Sequence, residues 1–107
     1  PAQVRAAAEC QASHVEFHTG VYAKNYDRHR DASMRELARL NIACGMAHDL
    51  EMIVNAGHGL NYRNVVPVAM LPHMHELNIG HAIVGRAIMC GMERAVRDMA
   101  RLLRHAR

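Results

Sequence analysis

The chain has 107 residues, 50% hydrophobic and 21% charged, which fits one globular domain with a single core and excludes a disordered chain. Its 13 basic residues, all arginine except Lys24, exceed the 10 acidic ones for a net charge of +3, an excess that fits either an anionic partner or a solvated Arg face. No apolar run approaches the roughly 20 residues that cross a bilayer, and no signal-peptide core opens the chain.

The first residues, Pro1-Ala2-Gln3-Val4, lack a Met. Residues 3–12 read as an amphipathic helix already under way, with Val4, Ala7, Ala8 and Gln11 on one stripe. The expectation is a start inside a longer protein. Residues 14–18 alternate strictly: Val15 and Phe17 face one way, His14, Glu16 and His18 the other. This predicts a short strand closed by Thr19-Gly20. Lys24 to Asp31 is charged and aperiodic and reads as a loop. Ser33 and Glu36 have capping-box spacing, and Met34, Leu37, Leu40 and Cys44 then predict a helix over 32–48.

A second strand is expected from Met52 to Asn55, ending in Ala56-Gly57-His58-Gly59. A short helical segment, Val65 to Leu71, carries Pro67 early and is closed by Pro72. The third strand reads His75 to Ile79, with Gly80-His81 after it. Residues 82–90 form a short helix, Gly91 interrupts, and 92–106 form the last helix with Met92, Val96, Met99, Leu103 and Ala106 on its apolar stripe.

A helix tail followed by three strand–helix repeats predicts an α/β fold with a parallel sheet. Three parallel strands alone leave two open edges and an uncovered face. The pattern therefore predicts the C-terminal part of a TIM (β/α)8 barrel, from its sixth strand to its eighth helix, the whole barrel being about 250 residues. The units divide as 1–12, the end of a helix; 13–51 and 52–72, strand–helix units; and 73–107, a strand, a short helix and the final helix.

In such barrels the chemistry lies at the C-terminal ends of the strands, where the Gly-His turns fall. Glycines on both sides of His58 permit a sharp turn and close approach of a ligand. Gly80-His81 opens a short helix after the last strand, a common phosphate site; the plainer alternative is two ordinary turns. Glu16, inward-facing between two His, reads as a structural ion pair or as a catalytic carboxylate.

Nine His invite a metal, with His73, His75 and His81 the best candidates, but the spacing offers no Cys pair or HExxH pattern and no metal site is expected. His14, His29, His48 and His105 read as surface or packing positions, Cys44 and Cys90 as inert core thiols. The three widely spaced cysteines, Cys10 included, suit a reducing compartment. Arg94, Arg97, Arg101 and Arg104 read as a solvated face or oligomer contact rather than a nucleic-acid surface.

Two long motifs are specific. They are Val54-Asn55-Ala56-Gly57-His58-Gly59-Leu60-Asn61-Tyr62-Arg63-Asn64-Val65 and Met74-His75-Glu76-Leu77-Asn78-Ile79-Gly80-His81-Ala82-Ile83-Val84-Gly85-Arg86-Ala87. With Glu16-Phe17-His18-Thr19-Gly20, they resemble the C-terminal part of the pyridoxine 5′-phosphate synthase family. The resemblance implies condensation of 3-amino-2-oxopropyl phosphate with 1-deoxy-D-xylulose 5-phosphate to pyridoxine 5′-phosphate, phosphate and water, without metal or organic cofactor.

It implies His58 as proton donor, Glu16 as transition-state stabiliser, and Gly59, Gly80 and His81 as the groups that hold the amino ketone phosphate. It also implies a cytoplasmic homo-oligomer that uses neither membrane nor nucleic acid, with further acid–base groups supplied by the N-terminal part of the barrel. This segment alone is then expected to be inactive. The loop from Thr19 to Ser33 is about two residues longer than the family's, and Glu51 stands where a helix-ending Gly is usual. The alternatives are another phosphate-binding barrel enzyme of isomerase or aldolase type, or a non-catalytic module that binds a phosphorylated metabolite.

Overall fold

A computed structural model describes residues 1–106. Its elements are α1 (Ala2–Glu9), β1 (His14–His18), α2 (Gly20–Asn25), α3 (Arg30–Asp49), β2 (Ile53–Gly57), α4 (Val65–Ala69), β3 (Met74–Asn78), α5 (His81–Cys90) and α6 (Met92–His105). The strands form one parallel sheet in the order β1-β2-β3. This is the α/β pattern expected, with helices returning the chain between parallel neighbours.

Alternation along the strands separates the two faces of the sheet. Val54 and Ala56 are buried, and Val15, Phe17 and Leu77 pack against the same core. The helices cover this face through Leu40, Cys44 and Ala47 of α3, Val65 and Val68 of α4, and Met99 of α6. The opposite, inner face carries Glu16 beside Asn55 and His18 beside Gly57, with Asn78 beside Gly57 on the other side. Core packing thus fixes the register that lines up the polar face.

Three expectations are corrected. The charged loop is shorter than expected, because α2 takes in Lys24 and Asn25 and α3 begins at Arg30; α2, too short to show periodicity, is anchored by Tyr22, which is fully buried and donates its hydroxyl to Asn64 O at 2.7 Å. Ser33 does not cap a helix. It lies inside α3, which starts at Arg30, and its buried hydroxyl donates to Tyr22 O at 3.0 Å. The stripe of α6 is rotated: Ala95 and Met99 are buried, while Met92 and Val96 are 51% and 47% exposed. Gly91, at φ +86°, separates α5 from α6, and the carbonyl of Ala95 accepts from Tyr62 of the loop after β2.

Smaller differences follow local backbone. The first helix ends at Glu9, and Gln11 turns the chain at φ +62°. Glu51, in the place of a helix-ending Gly, adopts φ +64°. Cys90 is only half-buried, so it is not a core thiol. His48 stacks on His73 at 3.6 Å between ring centroids. Arg94 and Arg97 face solvent and pair with Asp98 and Glu93. No helix among the described residues is long and apolar enough to cross a membrane.

Cys44 is fully buried, and burial pushes its thiol up to about 11 from the ordinary 9.0. The folded value lies above the unfolded one. This contribution to stability is therefore complete below pH 9.0 and is lost as pH climbs toward 11. In the folded protein at mildly alkaline pH, iodoacetamide should alkylate exposed Cys10 and spare Cys44 until denaturant is added. Peptide mass mapping checks this; equal labelling of the two would contradict the packing described.

Candidate functional site

The C-terminal ends of the three strands open into a cleft of about 650 Å³. Glu16, His58, Gly59, Gly80 and His81 all line it, together with His18, Gly57, Asn61 and Asn78. The five residues singled out in the sequence are thus on one concave surface, although they come from three separate βα units.

Glu16 reaches the cleft from β1, and its Oε1 accepts a hydrogen bond from Asn78 Nδ2 of β3 at 3.1 Å. The bond crosses above β2, and Gly57 makes the crossing possible. A Cβ at Gly57 would collide with Glu16 Oε1, would sit 2.9 Å from Asn78 O and would sit 3.3 Å from Asn78 Cβ. One carboxylate oxygen is therefore oriented. Between Glu16 and Glu76 in register lies Asn55, whose buried Oδ1 has no hydrogen-bond donor among the described residues.

His58 follows β2 with φ +90°, and Gly59 follows with φ +75°. Glycine takes such values freely; a histidine needs external restraint. Thr19 provides it. Its N–H donates to Gly57 O at 2.8 Å, and its buried hydroxyl is shared between Gly57 O at 2.8 Å and His58 O at 2.6 Å. Beyond the turn, buried Asn64 donates through Nδ2 to Gly59 O at 3.2 Å, and its Oδ1 accepts the Asn61 N–H at 2.7 Å.

The loop is also tied to the last two helices. Tyr62 donates its hydroxyl to Ala95 O at 2.7 Å, and the Arg86 guanidinium lies 3.6 Å above its ring, a contact of about 0.5–1 kcal/mol where partly exposed. Loss of solvent raises the Tyr62 phenol, against the pull of Arg86. Burial raises the Tyr22 phenol as well, which keeps it a donor to Asn64 O. Gly80 and His81 begin α5, whose first turn carries no side-chain cap. Gly80, His81 and Ala82 line the same cleft as the His58-Gly59 turn.

The sequence reading omitted Thr19, Tyr22, Ser33, Asn64 and Asn78 from the site. Asn64 and Asn78 lie inside the two specific motifs, and Thr19 lies in the strand-closing pair. Thr19, Tyr22 and Asn78 act through contacts across 38 to 62 positions of chain, which no local spacing reveals, while Ser33 acts across 11 and Asn64 across 3 to 5 within its own loop.

Residues 1–105 match the family model described as pyridoxal phosphate biosynthesis protein PdxJ. The chain belongs to this family. It is 52% identical over 103 residues to the pyridoxine 5′-phosphate synthase of Crocosphaera subtropica, covering 96% of the chain and 42% of that relative. It is 55% identical over 98 residues to the protein of that name from Synechocystis sp., covering 92% of the chain and 40% of the relative. The like-named protein of Opitutus terrae is 48% identical over 97 residues, 91% of the chain and 39% of the relative. The chain thus spans about two fifths of the length of these relatives, which agrees with three strands of a larger PdxJ-family barrel.

Gly57→Ala tests the crossing above β2. Because the added methyl meets backbone as well as side chain, it should cost about 1–3 kcal/mol and break the Glu16–Asn78 bond. Denaturant unfolding of the folded protein measures the cost; an unchanged midpoint would show that the two residues are not held across Gly57.

Proposed function

We propose that this chain forms the C-terminal βα units of a pyridoxine 5′-phosphate synthase, acting in a barrel completed by further units. The reaction is the condensation of 3-amino-2-oxopropyl phosphate with 1-deoxy-D-xylulose 5-phosphate. The observation that carries the reading is the meeting, in one cleft, of an oriented carboxylate, a His on a restrained turn, and the uncapped start of α5.

Each part has a chemical task. Backbone N–H groups at Gly59, Gly80 and His81 hold the phosphate of the amino ketone, where the α5 dipole favours negative charge. His58 donates a proton during loss of the leaving group. Glu16 supports positive charge that develops on the condensing nitrogen and carbon skeleton. The remaining acid–base groups and the contacts to the deoxyxylulose phosphate come from the N-terminal part of the barrel, so the 107-residue chain does not turn over by itself. A donor from that part also satisfies Asn55 Oδ1, whose isolation would otherwise cost about 1–3 kcal/mol. The protein works in the cytoplasm as a homo-oligomer and uses neither metal nor organic cofactor.

Two measurements on a complete barrel containing this chain test the reading. His58→Asn should lower turnover by about 10²–10⁴-fold with little change in substrate binding; unchanged turnover would reduce His58 to a turn residue. Titration with inorganic phosphate should move the amide resonances of Gly59, Gly80 and His81. No response at millimolar phosphate would remove the anion site.

A further inference from the structure

Two imidazoles meet at the mouth of the cleft. The rings of His18 and His58 stack with centroids 4.2 Å apart and planes 25° from parallel. His18 Nδ1 accepts the Gly20 N–H at 3.2 Å. A nitrogen that accepts cannot carry the proton, so neutral His18 is held as the Nε2–H tautomer.

Gly20 is part of the same arrangement. Its φ is not positive, so its backbone would accept any residue, and alanine is the better helix former. What excludes a side chain is the ring pair. A Cβ at Gly20 would lie 2.5 Å from His18 Cε1, 2.9 Å from His18 Nδ1 and 3.0 Å from His58 Cδ2. The backbone of His58 is restrained by the neighbouring Thr19. The three residues after Phe17 therefore grip His58 at both ends: Thr19 at its carbonyl, His18 and Gly20 at its ring.

We infer that His18 is a positioning residue for His58: its tautomer-locked ring is the plate that sets the direction of the His58 imidazole. The inference rests on the proposed role of His58 as proton donor. A ring on an exposed turn can rotate about two side-chain bonds, and proton transfer needs a donor atom within hydrogen-bond reach of its target. Stacking removes the rotations that point the His58 nitrogen elsewhere, and the Gly20 bond keeps His18 from turning with it.

The test compares His18→Ala, Gly20→Ala and His18→Phe in the complete barrel, reading imidazole proton–nitrogen correlations alongside kcat and KM. Wild-type His18 should show a protonated Nε2 and a bare Nδ1. His18→Ala and Gly20→Ala should shift the His58 ring signals and lower kcat by about 10- to 100-fold, the scale of a misplaced reacting group, with KM close to wild type. His18→Phe, which keeps a flat ring, should restore the His58 signals and most of kcat. Should one alanine variant fail to fold, the other decides.

Unmoved His58 signals with unchanged kcat in the alanine variants overturn the inference, and so do shifted signals with unchanged kcat. A wild-type His18 protonated on Nδ1 overturns the locked tautomer. The reading of the site fails separately: full turnover in His58→Asn rejects the proton-donor role, whereas lost turnover in His58→Asn beside silent His18→Ala and Gly20→Ala rejects the positioning role alone.

Discussion

The Thr19 hydroxyl, buried and shared between the carbonyls of Gly57 and His58, is the contact on which the rest of the site depends. It joins the end of β1 to the end of β2 where the second strand must turn, and it holds a histidine at φ +90°. Such a conformation costs of order 1–3 kcal/mol and persists only under restraint. The restraint is layered. Thr19 fixes the carbonyl side of His58, Asn64 fixes Gly59, Tyr22 fixes Asn64, and Ser33 fixes Tyr22. Thr19, Asn64, Tyr22 and Ser33 are all buried, and each side chain donates to a backbone carbonyl of this segment, the condition under which such networks rigidify a structure. A solvent-facing turn thereby inherits the stiffness of the core beneath α2 and α3.

The same economy shapes the inner face. Strand register sets Gly57 and Asn78 in one row, two positions beyond the row of Glu16 and Asn55, and the missing side chain at Gly57 lets Glu16 and Asn78 bond to each other across β2. Beyond the row, Arg86 and Tyr62 lock the loop after β2 to α5 and α6. The start of α5 is thus held against the His58 turn by contacts that never enter the cleft. On the far side, Ile88 and Met89 of α5 are 80% and 87% exposed. Such an apolar surface, together with two sheet edges, is understandable in a chain about two fifths as long as its relatives.

Much of this was legible in the sequence where local physics dominates. Alternation over His14–His18 located β1 at its observed limits, and Gly91 marked the break between the last two helices. The Gly-His turns pointed to the cleft because glycine next to a strand end signals backbone that must bend. What local physics could not reveal were positions decided by distant partners. Ser33 has the spacing of a helix cap yet serves Tyr22 from inside α3. Met92 and Val96 continue an apolar stripe that this chain leaves uncovered. His18 reads as one of nine histidines until folding stacks it on His58.

These strands are proposed to carry one share of a catalytic lumen whose other share lies in additional βα units. The most direct measurement is pyridoxine 5′-phosphate formation by the purified 107-residue chain, alone and after mixing with the separately made upstream portion of the Synechocystis relative. The expected result is no turnover from the chain alone and measurable turnover from the mixture. Turnover by the chain alone at the rate of a complete barrel would contradict it.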